Sequence, residues 1–106
     1  MPAFVNPSYP QRTHFAERKP LEERLRAWDQ KISEFRRRLA VLGHHPQRDA
    51  CERLYHQMVG ARDQMAEMVR RLPLEAGVLY EEDRERFEAA EAALQRLVTR
   101  WDEIRL

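Results

Sequence analysis

The sequence predicts an all-α fold, an up-down-up antiparallel three-helix bundle with coiled-coil-like heptad packing and an extended N-terminal arm. Three observations predict it. Apolar residues recur at alternating steps of three and four in three consecutive segments, which averages the 3.5-residue period of helices that pack side by side. Charged residues make up 35% of the chain and glycine only 3 of 106 positions, a composition of solvated helices rather than sheets. Acidic residues gather where the segments open and basic ones where they close, as the helix dipole favours.

Residues 1 to 18 stand apart as an arm. Pro2, Pro7 and Pro10, with Asn6 and Ser8 between them, predict an extended or polyproline-like path. Phe4, Val5, Tyr9 and Phe15 make this stretch more apolar than a plain solvated tail. It either lies along the bundle or stays disordered until a partner orders it, and disorder is the expectation for its first residues. Phe4 and Tyr9, the latter between Ser8 and Pro10, are its candidate partner contacts.

The bundle is expected over residues 19 to 106. Its first helix, about 20–42, opens at Pro20, where a missing N–H is harmless. Leu21, Leu25, Trp28, Ile32, Phe35, Leu39 and Leu42 form its stripe, and Gly43 followed by Pro46 ends it. The second helix, about 47–72, carries Cys51, Leu54, Met58, Ala61, Met65, Met68 and Leu72 before Pro73 stops it. Gly60 weakens its middle by about 1 kcal/mol relative to alanine. The third, about 79–105, has Glu81, Glu82 and Asp83 in its opening turn, then Phe87, Ala90, Leu94, Leu97, Trp101 and Ile104. Short connections make neighbours antiparallel.

Charge supports that order. Residues 19 to 42 hold seven basic and four acidic side chains, residues 75 to 105 five and nine, and the first and third helices would run parallel. Arg70 and Arg71 are expected near Glu81 and Glu82. Exposed pairs of this kind select neighbours more than they stabilise.

The whole chain carries a formal charge of +1, which argues against a dedicated nucleic-acid binder. A single cysteine, Cys51, leaves no disulfide framework and fits a reducing compartment. No apolar run nears the roughly 20 residues that span a bilayer, and the first residues lack the pattern of a secretory signal. The expected location is the cytoplasm.

Each candidate site also has a plain structural role. Arg36, Arg37 and Arg38 form the densest basic cluster, suited to phosphate or an acidic partner. Their plainer role is a solvated helix end facing Asp49 or Glu52. His44, His45, Cys51 and His56 suggest a metal, but Cys51 and His56 point to different sides of one helix, so no tetrahedral set converges. Met58, Met65 and Met68 fit adaptable core fillers at heptad spacing, or a plastic partner surface. Trp28 and Trp101, one on each outer helix, resemble the layout of a spectrin-type repeat; the likeness is of layout only, and no motif assigns membership.

No nucleophile stands beside a base, and Ser8, Ser33, Thr13 and Thr99 are the only hydroxyl candidates besides the tyrosines. Asp83, the one acidic residue in stripe phase, sits in a first turn where the dipole accounts for it. The expectation is therefore a non-enzymatic scaffold or adaptor with no cofactor or metal and no membrane contact. It would bind another protein through a helix face or the arm. The alternatives are a nucleic-acid accessory role for Arg36–Arg38, and a self-assembling coiled-coil rod or other homo-oligomer.

Overall fold

The computed structural model describes the backbone of residues 10–71 and 81–106, with side chains from residue 19 to 71 and from 83 onward. Its elements are three helices, α1 (Pro10–Ala40), α2 (Arg48–Arg70) and α3 (Glu81–Glu103). They form the expected all-α three-helix bundle, with α2 antiparallel to both outer helices.

α1 begins at Pro10 rather than Pro20, so residues 10–18 of the expected extended arm are helical. The sequence allows this locally. Pro10 occupies the first turn, where no N–H is needed, and Gln11, Arg12, Ala16, Glu17 and Arg18 are good helix formers. Pro20 then lies inside the helix, where it forgoes one hydrogen bond to the preceding turn. The partner-contact candidates Phe4 and Tyr9 lie outside the described residues, as do Leu72 and the residues before Glu81.

Among the described residues, each helix contributes five side chains to one core. Leu21, Trp28, Ile32, Phe35 and Leu39 come from α1; Cys51, Leu54, Met58, Met65 and Val69 from α2; Phe87, Ala90, Leu94, Leu97 and Trp101 from α3. Of the other expected stripe residues, Leu25, Leu42, Ala61 and Ile104 are half-buried against this core, and along α2 the heptad frame drifts. Val69 is buried where Met68 was expected, and Met68 is only half-buried. The cause is helical pitch. Cys51 and Val69 are eighteen residues apart in the sequence, about five full turns of 3.6 residues, so a straight helix returns to Val69 rather than Met68.

The seams differ in width. The backbone of α2 lies close to both outer helices, whereas α1 and α3 stand farther apart. Large side chains fill that wider gap: the Phe35 and Trp101 rings meet edge to face, with centroids 4.9 Å apart at 65°.

The turn between α1 and α2 satisfies its own polar groups. Leu42 N–H bonds the Leu39 carbonyl at 3.2 Å, tightening the last turn, and Gly43 takes a φ of +58° that favours glycine. From the first turn of α2, Arg48 donates back to the Leu39 carbonyl at 3.0 Å. His45 accepts the Gln47 N–H at Nδ1 (3.0 Å), which leaves Nε2 as the donor to the Leu106 carbonyl oxygen at 3.2 Å. One ring thereby ties the turn to the segment that follows α3.

Candidate docking groove between the second and third helices

Most charged side chains that reach across the bundle are matched. Glu91 on α3 accepts from Arg24 Nε at 3.3 Å, from a second Arg24 nitrogen, and from Trp28 Nε1 at 2.9 Å. The Arg24 hydrogen bonds, opposed by partial burial and aided by Trp28, hold the Glu91 carboxyl below its ordinary range. The same guanidinium lies over the Phe87 ring, 5.2 Å from its centroid. Between α1 and α2, Arg62 bonds Asp29 and also Asp63, the latter at 2.7 Å.

The α2–α3 seam has a different character. An open groove follows it. Its central section, of about 470 Å³, is lined by Gln57, Gly60, Ala61, Gln64, Ala93, Arg96, Leu97 and Arg100. Beyond Gln57 and Arg100 it continues past Arg53, Leu54, Ala50 and Ile104. The groove exists because small residues face each other here. A Cβ at Gly60 would meet nothing within 4 Å, and Ala61 and Ala93 bring only a methyl each. Buried Leu54 and Leu97 form the floor, and exposed Arg53, Arg96, Arg100, Gln57 and Gln64 form the rim.

The three rim arginines make no ion pair among the described residues, unlike Arg24, Arg62, Arg70, Arg71 and Arg86. For Arg96 the sequence gives the reason. The positions three and four residues away on its own helix are Ala92, Ala93, Thr99 and Arg100, none of them acidic. At its other end the groove passes Glu67, Arg71, Asp83 and Arg86, where the charges pair within their own helices.

The sequence-predicted candidates are not gathered here. Arg36, Arg37 and Arg38 are exposed on α1 and do not line the groove. They do not face Asp49 or Glu52 in ion pairs; Arg38 instead stacks on Phe35, 4.9 Å from its centroid. Arg70 and Arg71 both reach Glu67, while the side chains of Glu81 and Glu82 lie outside the described residues. Cys51 is fully buried, which pushes its thiol pKa up, and His56 is exposed on the same helix. Among the described residues no three His, Cys, Asp or Glu side chains stand close enough to share a metal, and no helix is long and apolar enough to cross a membrane. Met58 and Met65 are wholly buried in the core.

Sequence reasoning missed the groove because it followed only apolar stripes. The signal was a second row beside the stripe, Ala50, Arg53, Gln57, Gly60 and Gln64 on α2, small or polar and free of acid. No family model, curated protein or solved structure matches this chain.

Proposed function

We propose that this chain is a non-enzymatic helical adaptor that holds a segment of another protein against a helix face, in the groove between α2 and α3. The observation that carries this reading is the groove itself: an apolar floor of Leu54, Ala61, Ala93 and Leu97 under a rim of exposed Gln and Arg side chains. Helix-in-groove recognition uses such a surface, with anchors entering the floor at one-turn intervals. From Ala50 to Gln64 the groove spans fourteen residue steps, about 21 Å, room for a four-turn helix.

A photo-crosslinking side chain placed at Gln64, at Gln30 on the outer side of α1, and at Phe4 or Tyr9 tests the reading in the native cell. Discrete protein adducts are expected from position 64 and not from position 30, and Gly60→Leu, which fills the groove, should abolish them. Adducts from positions 4 or 9 alone would move the contact to the N-terminal stretch. Adducts from position 64 that ignore Gly60→Leu would overturn the assignment.

A further inference from the structure

We infer that the groove takes an acidic amphipathic helix of a partner protein, docked as a fourth helix with two carboxylates one turn apart over Arg96 and Arg100. This rests on the reading of the groove as a docking surface and adds the chemistry of its occupant.

Three observations converge on negative charge. Along the groove from Ala50 to Gln64 the lining includes Arg53, Arg96 and Arg100 and no Asp or Glu. Arg96 and Arg100 are spaced i,i+4, a like-charge pair that weakens an isolated helix and that carboxylates across the groove would relieve. At Arg24, Arg62, Arg70 and Arg86 the bundle supplies the carboxylate itself. Arg36 and Arg37, without ion pairs among the described residues, lie exposed on α1 and do not line the groove.

The same charges disfavour other occupants. A twofold contact between two copies through this groove would set its arginine rims against each other. Residues 1–18 of this chain hold Arg12 and Arg18 against Glu17 alone, the wrong sign to fill it. A nucleic-acid backbone would satisfy the arginines yet leave the partly exposed apolar lining, Ala61, Ala93 and Ile104, facing water. An amphipathic helix satisfies both, with apolar side chains on the floor and Glu or Asp at the rim.

The test is fluorescence anisotropy on the full chain with four labelled probes. The first is a helical peptide of about 18 residues with a leucine stripe flanked by glutamates, long enough for the groove. The second carries lysine for each glutamate, the third serine for each leucine, and the fourth is a DNA duplex. The glutamate–leucine peptide should bind at least about tenfold more tightly than the other three, and its affinity should fall as salt rises. Arg96→Glu with Arg100→Glu should reverse the preference toward the lysine peptide. Both positions are exposed and unpaired, so helical circular dichroism should stay unchanged. Equal binding of the acidic and basic peptides, lost in Gly60→Leu, would overturn the charge assignment while leaving the groove a docking surface. Binding of no peptide, or peptide binding indifferent to Gly60→Leu, would overturn both. Tighter binding of DNA, lost in the double variant, would replace the peptide with a nucleic acid.

Discussion

The two seams along α3 solve opposite problems with the same helix. Toward α1 the helices stand apart, and the gap is filled by Trp28, Phe35, Phe87 and Trp101, with Glu91 collecting hydrogen bonds from Arg24 and Trp28. Toward α2 the backbones approach, and Gly60, Ala61 and Ala93 leave a furrow whose arginines stay unmatched. The first seam is packed with rings and pairs its half-buried carboxylate, leaving only a smaller cleft of about 240 Å³ beside Arg24, Trp28 and Glu91. The second is complete only in its floor. A difference of this kind within one small domain separates residues that hold the fold from residues available to a partner.

The largest effect is expected from cutting into the α1–α3 seam. Trp101→Ala, at a residue 3% exposed, should cost about 3–5 kcal/mol, much of the stability of a domain this size. Denaturant unfolding would read it; a loss under about 1 kcal/mol would mean the ring is not a core element.

Next comes the Glu91 cluster. Its carboxyl is lowered in the folded chain, so its contribution is present above the unfolded value near 4.5 and disappears as pH falls through the folded value. The wild type should thus lose stability progressively below about pH 4.5, and Glu91→Gln should flatten that part of the profile. At pH 7, Glu91→Ala should cost about 1–2 kcal/mol, because the Trp28 N–H and the Arg24 guanidinium both lose their acceptor. An unchanged acid profile in Glu91→Gln would show that the cluster is ornamental to folding.

The two described glycines sharpen the contrast with opposite signs. Gly43→Ala places a side chain at φ +58° and should destabilise by about 1 kcal/mol or more. Gly60→Ala meets open space in a helical conformation and should stabilise by about 0.5–1 kcal/mol. Melting temperatures of the two variants should move apart from the wild type in those directions. The smallest effect belongs to Arg36→Gln with Arg37→Gln, two exposed residues without ion pairs, which should stay within about 0.5 kcal/mol.

Most of the fold was legible because burial repeats with the helix. Leu21, Trp28, Phe35, Leu54, Met58, Leu94 and Trp101 all stand in the predicted stripes and all are buried. What escaped has identifiable causes. Val69 replaced Met68 because a strict seven-residue frame drifts from a straight helix. Pro10 opened α1 because strong helix formers follow it and outweigh the expectation that Pro20 marks the start. The groove was hidden by averaging: residues 75 to 105 are acidic in sum, which obscures two arginines on one face of α3. The dense triplet Arg36–Arg38 drew attention instead, because a run is visible in sequence and a shared face is not.

The groove arginines are expected not to hold the bundle together. Thermal unfolding of the Arg96→Gln, Arg100→Gln double variant at neutral pH and low salt tests this most directly. A melting temperature within about 2 °C of the wild type is predicted, since relief of the like-charge pair offsets the loss of Arg100 from the last turn of α3. A fall of about 4 °C or more, on the order of 1 kcal/mol in a domain of this length, would make these side chains structural and contradict the account.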